Sequence, residues 1–289
     1  MLDVLRLVAW LALLAVLLAP LERRWAVHRQ RFFRKAFGTD VVYYFLSGLA
    51  PKLLTILPLT ILAATAHRLQ PSGFYAWVGQ MPIWLRLSAA MVVGEIGAYW
   101  GHRWSHEIPF LWRFHSIHHS SEELDWLVSA RAHPIDKLVM RFAGLIPMYL
   151  LGLAQPLGGD VDLVPMIVSV VSNVWGYFIH TNVKWRLGWF EWIISSPAFH
   201  HWHHTNDGPE LLNKNYAPML PWVDWCFGTF YLPRKWPQKY GTDSPMPSGL
   251  ADQLLQPLLG RGGGEIRPEL SPHREMAVAS EPPAVTDAV

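Results

Sequence analysis

Residues 102–106 read His-Arg-Trp-Ser-His, residues 115–119 read His-Ser-Ile-His-His, and residues 200–204 read His-His-Trp-His-His. On an α-helix, residues three or four positions apart lie on the same face. Each stretch therefore predicts a helix with its imidazoles gathered on one side, while His201 points elsewhere. The residues that share these faces are His102 and His106, then His115, His118 and His119, then His200, His203 and His204. Three such clusters predict a metal centre rather than unrelated core histidines.

Two single histidines extend the set, because His180 ends an apolar segment and His133 directly precedes Pro134. Neutral imidazole is a ligand for zinc, iron, copper and nickel. Ten candidate ligands exceed the coordination of one tetrahedral or octahedral ion, so the sequence predicts two metal ions. No Glu is followed three residues later by His, which excludes the carboxylate type of di-iron bundle. The single cysteine, Cys226, excludes cysteine-rich zinc sites.

The composition is that of a membrane protein rather than a soluble domain. Of the 289 residues, 51% are hydrophobic and 16% are charged, whereas soluble domains carry about 25% charged residues. A net charge of +2 is too small to indicate nucleic-acid binding, so no nucleic-acid partner is expected. Five apolar segments approach the roughly 20 residues that cross a bilayer. They are residues 4–21, 41–66, 83–104, 138–157 and 161–179.

Three details refine these segments. Segment 4–21 is read as a retained anchor rather than a cleaved signal peptide, since no A-x-A motif follows it. Pro51, Lys52 and Pro58 interrupt the second segment, and a turn at residues 158–160 joins the last two as a hairpin.

The distribution of Lys and Arg predicts the orientation. Six of them lie between residues 23 and 35 and four between 103 and 137, whereas the intervening loop carries only Arg68. We therefore expect the N-terminus outside and the histidine clusters on the cytoplasmic side. The predicted fold is an all-α integral membrane protein. It has about five membrane-embedded helices and a cytoplasmic helical cap that carries a histidine-rich dinuclear site.

The organisation along the chain follows from the same patterns. Residues 1–82 are expected to form anchor helices and a basic loop, and residues 83–241 the catalytic domain. Residues 242–289 are rich in Pro and Gly without apolar periodicity, which predicts a mostly disordered tail. Tryptophans such as Trp104, Trp189 and Trp192 flank the ends of the apolar segments, as expected at a membrane interface.

The histidine clusters and their flanks resemble the fatty acid hydroxylase/sterol desaturase superfamily of integral membrane di-iron enzymes. The resemblance covers roughly residues 83–232, and residues 180–204 are also similar to alkylglycerol monooxygenases. Beyond the clusters, it rests on Pro-Phe-Leu-Trp at 109–112, Arg-Ala-His-Pro at 131–134, Ser-Pro at 196–197, Asn-Tyr at 215–216, and Phe-Gly-Thr-Phe-Tyr at 227–231.

This resemblance implies a di-iron centre that uses O2 to oxidise an unactivated C–H bond of a membrane lipid. Zinc can replace iron during preparation. Electrons are expected from a separate cytochrome b5-like or ferredoxin-type donor. The expected location is a bacterial inner membrane, or the endoplasmic reticulum in a eukaryote. The implied ligands are His102, His106, His115, His118, His119, His180, His200, His203 and His204, with His133 a tenth that some relatives lack.

Carboxylates and amides near the clusters are candidates to orient the imidazoles. They are Glu95, Asn182, Asp207 and Asp224, with Asp136 and Glu191 as weaker candidates.

Three functions remain open from the sequence. A hydroxylase and a desaturase would use the same centre, and the lipid is a fatty acyl, sterol-like, ether or amino lipid. A non-catalytic metal-binding protein or metal transporter is the third. A transporter would place its ligands near the middle of the membrane, whereas these lie at the predicted cytoplasmic ends.

Overall fold

The structure is a computed structural model that describes residues 1–154, 163–244 and 246–260. Within these ranges every regular element is helical, and strand-like pairing is limited to two isolated bridges, Ala26 with Val183 and Thr205 with Tyr240. The prediction of an all-α chain is confirmed for the described residues. The predicted turn at 158–160 lies outside them.

Ten α-helices occur in the described residues. They are α1 (Leu2–Trp25), α2 (Phe37–Leu69), α3 (Ser72–Gly79), α4 (Ile83–Glu107), α5 (Pro109–His119), α6 (Pro134–Leu150), α7 (Leu163–Ile179), α8 (Pro197–His203), α9 (Trp222–Cys226) and α10 (Leu250–Leu255). Short 3-10 helices lie at Trp126–Ala130, Gly188–Trp192 and Pro209–Leu211.

Two helices, α1 and α2, are long and apolar enough to cross a membrane on their own. The α2 helix runs through Pro51 and Pro58, so the expected interruption of this segment does not occur. A third span exists if α3 and α4, which meet at 110°, act as one. On its own, α4 is not apolar enough to be a candidate span, because Arg86 and Glu95 lower its mean hydropathy.

The helix α6 and the described part of α7, which begins directly after residues 155–162, contain 17 residues each, about 25 Å at 1.5 Å per residue. This is shorter than the roughly 30 Å hydrocarbon core of a bilayer. By length and composition, the described residues therefore contain two or three spans, and five remains a prediction.

Five helix ends meet at one end of the bundle. The carbonyl oxygen of Trp25 at the end of α1 accepts a hydrogen bond from the Lys184 amide, 2.8 Å away. The other ends are joined by side-chain contacts. These are Asp40 of α2 with Arg131, His106 of α4 with the His119 ring, Asp136 of α6 with His115, and His180 after α7 with His118. The histidine clusters therefore gather where these five ends converge.

Small residues allow α4 and α6 to pack closely. A Cβ added at Gly97 would lie 2.1 Å from the Ala143 carbonyl oxygen, and one at Gly101 would lie 2.4 Å from the Ala143 Cβ. Small residues permit this close backbone approach between membrane helices. The contact holds the end of α4, with its two histidines, against the helix that follows the second cluster.

The helix α10 lies in the segment that the composition predicts to be mostly disordered. Gln253 is buried and accepts a hydrogen bond from the Tyr43 hydroxyl at 3.0 Å. The Leu254 carbonyl oxygen lies 3.1 Å from His133 Nε2. These polar contacts dock a six-residue helix that has no apolar repeat to reveal it in the sequence. Residues beyond 260 lie outside the described ranges, and their disorder stays a prediction.

The close contact of α4 and α6 gives a stability prediction. Gly97→Ala should destabilise the protein by about 1–3 kcal/mol, since an extra methyl group overpacks a tight interface. The matched control is Gly38→Ala, because a Cβ there meets no atom within 4 Å. Gly38 lies in the first turn of α2, and alanine has a higher helix propensity than glycine, so the control should be at least as stable as the parent. Thermal unfolding in detergent measures both, and equal melting temperatures would contradict the close contact.

Candidate metal centre

The three clusters are carried by helices whose starts are encoded nearby. Pro109 is the first residue of α5, and Pro197 is the first residue of α8. The hydroxyl of Ser196 accepts a hydrogen bond from the Phe199 amide at 3.3 Å and caps α8. These starts agree with the sequence expectation and fix the phase of each helix.

The histidines assemble into two adjoining groups. We call them the five-histidine group and the four-histidine group. The first consists of His102, His106, His115, His119 and His203, and the second of His118, His180, His200 and His204. Within each group the candidate ligand atoms lie within 4.8 Å of one another, and every member is buried. The two groups touch, since the His119 and His204 rings stack with centroids 4.3 Å apart.

Neighbouring residues on one helix serve different groups. His118 and His119 of α5 are divided between the groups, and so are His203 and His204 of the third cluster. The sequence predicts that the imidazoles of each cluster share one helix face. The structure instead places the two groups side by side between the helices, so that one face reaches both.

The four-histidine group is unfavourable without a cation. A neutral imidazole carries one N–H. In His118 and His180 this is Nδ1–H, because Nδ1 faces a carbonyl oxygen that can only accept, Arg131 O at 3.0 Å and Gly176 O at 2.6 Å. The Nε2 atoms of both rings therefore carry lone pairs, and they lie 3.2 Å apart. Lone pairs at this distance repel each other unless a positive charge lies between them.

The spacing of the other nitrogens fits the same conclusion. His180 Nε2 lies 3.0 Å from His200 Nε2 and 3.2 Å from His204 Nε2. Nitrogens bound to one ion at about 2.1 Å are separated by roughly 3.0–3.4 Å, depending on the coordination geometry. In the five-histidine group, His203 Nε2 and His119 Nε2 are 3.1 Å apart. The donor set and its spacing therefore fit metal ions.

Two ring nitrogens of the five-histidine group add a second observation. The Nε2 atoms of His106 and His115 are buried and have no hydrogen-bond partner in the described part of the chain. Unpaired buried polar atoms are costly, and metal coordination would remove that cost.

Burial keeps these imidazoles neutral, the form that binds metals. Desolvation first, and neighbouring imidazoles second, lower the pKa of five histidines of the second and third clusters well below the ordinary range. They are His118, His119, His200, His203 and His204. Burial also lowers the pKa of His180 to about 3. At neutral pH their lone pairs are therefore available.

The second nitrogen of several rings is held mostly by main-chain carbonyl oxygens. Besides the two partners of His118 and His180, Tyr216 O accepts from His102 Nδ1 at 2.6 Å and Lys214 O accepts from His203 Nδ1 at 2.9 Å. Asp136 is the carboxylate among these partners, 3.0 Å from His115 Nδ1. Main-chain carbonyls carry no residue signature, so sequence reasoning missed them.

The four side chains predicted to orient imidazoles make other contacts in the described part of the chain. Their side chains accept backbone N–H groups instead: Glu95 from Met219 and Leu220, Asn182 from Val27 and His28, Asp207 from Gln238 and Lys239, and Asp224 from Tyr216 and Ala217. Of these, Asp224 affects a ligand indirectly. It accepts the Ala217 amide, and the carbonyl of the same peptide unit, Tyr216 O, accepts from His102 Nδ1. Burial raises the pKa of Asp224 to about 6. Glu191 accepts from the Ser196 hydroxyl at 2.6 Å.

His133 and His201, which lie in the same region of the chain as the clusters, belong to neither group. His133 Nδ1 accepts from the Ile135 amide and caps α6, while its Nε2 faces the Leu254 carbonyl. His201 points away from its neighbours, as expected, towards the Tyr240 hydroxyl and the Thr181 carbonyl. The structure thus brings nine of the ten predicted ligands together.

Comparison with known proteins identifies the family. The fatty acid hydroxylase model matches residues 87–229. An ornithine lipid hydroxylase of Rhizobium tropici is 32% identical over 253 residues, 86% of this chain and 72% of that protein. The chain belongs to the fatty acid hydroxylase family. The predicted superfamily is therefore confirmed, and the chain is an oxidoreductase.

More distant relatives complete the picture. An alkylglycerol monooxygenase of Xenopus tropicalis is 32% identical over 152 residues, 53% of this chain but only 32% of that protein. A Delta(7)-sterol 5(6)-desaturase of Gibberella zeae is 26% identical over 216 residues, 71% of this chain and 59% of that protein. No solved structure matches the chain. The expected similarity to alkylglycerol monooxygenases is confirmed.

The contact between Asp136 and His115 gives a prediction for metal affinity. Asp136→Asn keeps the shape but removes the charge that holds the imidazole, and such partners contribute 10–100-fold in metal affinity. We expect about one tenth of the parent affinity for one of two Co²⁺ ions. The control is Asp207→Asn, whose carboxylate accepts only backbone N–H groups. Titration of metal-stripped protein measures both, and unchanged affinity in Asp136→Asn would show that the carboxylate does not orient a ligand.

Proposed function

We propose that this chain is a membrane-bound di-iron oxygenase that uses O2 and external electrons to hydroxylate a C–H bond of a lipid. The observation that carries the proposal is the pair of adjoining, buried histidine groups whose lone pairs converge, in a chain of the fatty acid hydroxylase family. Each group would hold one iron ion, and zinc can replace iron during preparation.

The chain's own residues supply position and dryness. Iron bound in the two groups would supply O2 activation, which protein side chains do not provide. The carbonyl oxygens of Tyr216, Arg131, Gly176 and Lys214 keep ring nitrogens turned towards the centre. Burial of all nine imidazoles excludes water and favours the neutral ligands.

A membrane lipid is the substrate that the relatives support. A relative of which this chain covers 72% is named for ornithine lipid, so we propose an amino lipid of that kind as the first substrate to test. Ether lipids and sterols are the alternatives suggested by relatives of which the chain covers a smaller part. Desaturation that begins at the same C–H bond is the alternative reaction, and the desaturase relative supports it.

Exposed aromatic side chains support the entry of lipid from the bilayer. Trp189, Phe190, Trp192 and Trp225 project from the 3-10 helix after α7 and from α9, with Trp189 65% exposed. Amphipathic aromatic rings are enriched at membrane interfaces. The Trp192 and Phe230 rings stack with centroids 4.7 Å apart. Phe230 in turn contacts Phe199 of α8, the helix of the third cluster.

We also propose the five-span topology with the centre on the cytoplasmic side, in a bacterial inner membrane or, in a eukaryote, the endoplasmic reticulum. Support comes from the five helix ends that meet at the centre, which alternating spans require. The basic loop between α1 and α2 lies at this same end. A cytoplasmic position would let a separate cytochrome b5-like or ferredoxin-type donor deliver electrons.

The function is tested by lipid analysis and metal content together. Cells expressing the protein should accumulate a hydroxylated amino lipid that carries one atom of ¹⁸O from ¹⁸O2, and the purified protein should hold about two metal ions per chain, one in each histidine group. His203→Ala should abolish the product and remove metal, because it deletes a ligand of the five-histidine group. The control is His201→Gln, which keeps a donor and an acceptor towards Tyr240 and Thr181. Two metals with no O2-dependent lipid change would favour a metal-binding or transport protein.

Reporter fusions test the topology. A fusion after Gln70, at the end of α2, should report outside, and one after Ser121, beside the centre, should report inside. Both expected locations follow from the basic loop at 23–35, because its Lys and Arg residues are retained in the cytoplasm. An inside signal at Gln70 would contradict the assignment of α2 as a span.

A further inference from the structure

A cluster of buried charges lies at the junction of the N-terminal helices and the metal centre. Arg34 Nη2 is 2.5 Å from Asp40 Oδ2, and Arg34 Nε is 2.7 Å from Asp125 Oδ2. Arg131 Nη1 donates to Asp40 Oδ1 at 3.0 Å. The four side chains are less than one tenth exposed, and two arginines balance two aspartates. Arg34 and Asp40 precede residues 87–229, where the family model matches.

This cluster leads directly to one of the histidines. The Asp125 carboxylate accepts the amides of Leu127 and Val128 and so begins the 3-10 helix Trp126–Ala130. Arg131 follows that helix, and its carbonyl oxygen accepts from His118 Nδ1. The ion pairs therefore fix both the turn before Arg131 and its side chain.

A second contact reaches the segment that carries another histidine of the same group. Glu22 Oε1 accepts the amides of Trp126 and Asn182, each at 2.9 Å. Asn182 lies two residues after His180, and the Lys184 amide donates to the Trp25 carbonyl. Residues 22–40 thus hold the chain segments that position His118 and His180.

The five-histidine group is held from elsewhere. Its ring nitrogens contact the carbonyls of Tyr216 and Lys214 and the Asp136 carboxylate. The side chains of Arg34, Asp40 and Glu22 instead contact Asp125, Arg131 and the amides of Trp126 and Asn182. The two groups therefore depend on different parts of the chain, although they touch.

We infer that residues 22–40 are a positioning element for the four-histidine group alone, acting through Arg34, Asp40 and Glu22, and that they set the metal affinity of that one site. The inference rests on the proposed function, since it takes both groups as metal sites. The predicted N-terminal anchor is then also part of the metal centre. A buried ion network suits this role because removal of one partner leaves an uncompensated charge and shifts the backbone that it held.

The test compares two adjacent basic residues in the full-length protein. Arg34 is buried, whereas Lys35 is exposed. Metal-stripped protein in detergent is titrated with Co²⁺, and the number and affinity of bound ions are measured. The parent and Lys35→Ala should bind about two ions with equal affinities, whereas Arg34→Ala should bind one normally and the other at least about 10-fold more weakly.

Ligand variants show which site is affected. In a His106→Ala background, the four-histidine group alone remains, and Arg34→Ala should abolish most of the remaining binding. In a His180→Ala background, the five-histidine group alone remains, and Arg34→Ala should change nothing further, as non-additive coupling at a shared site requires. Equal affinities in the parent and Arg34→Ala, or loss from the five-histidine group, would overturn the inference.

The ion that Arg34→Ala still binds normally serves as the control that this variant is folded. If Arg34→Ala does not yield monodisperse protein, Asp40→Asn removes the partner of Arg131 while leaving the Arg34–Asp125 pair. It should show the same one-site loss. Failure of both variants to fold would overturn a role confined to one site. A parent that binds fewer than two ions would instead contradict the proposed function.

Discussion

The structure depends on one electrostatic constraint, the convergence of neutral imidazole lone pairs in a dry interior. In the four-histidine group, hydrogen bonds to carbonyl oxygens fix lone pairs on His118 and His180 that face each other at 3.2 Å. Repulsion of this kind destabilises the metal-free centre, so bound metal ions would stabilise the fold. The surrounding architecture must therefore be rigid enough to hold the rings together, which the interhelical and ion-pair contacts provide.

Rigidity comes from three different sources around the centre. The close α4–α6 contact at Gly97 fixes the first cluster by shape. Carbonyl oxygens fix the ring orientations by direction. The ion pairs of Arg34 fix the loop after α5 by charge. Because these sources lie in separate segments, each metal group can be tuned without displacing the other, although the His119 and His204 rings stack.

The sequence predicted the ligands better than their surroundings. Histidine spacing at three and four residues identified eight of the nine residues that the structure brings together, because helical periodicity is a local property, and the ninth, His180, was recognised at the end of an apolar segment. The division of His118 and His119 between two groups could not be predicted, since it depends on how separate helices meet. Likewise, carbonyl partners have no residue signature, and Asp224 and Glu95, which were expected to orient imidazoles, accept backbone N–H groups instead. The docked helix α10 was missed because its contacts are polar and few.

The choice of neutral ligands has a consequence for the electrons that the centre must accept. Among the described residues, one carboxylate, that of Asp136, contacts one imidazole of the nine, so little negative charge would compensate two divalent ions bound there. A positively charged centre in a medium of low dielectric constant stabilises an added electron more than a carboxylate-rich centre does. Reduction of ions bound in the two groups by an external donor would then be favoured. A ligand set made of histidines alone would therefore suit the proposed function, in which the bound ions are reduced before O2 reacts.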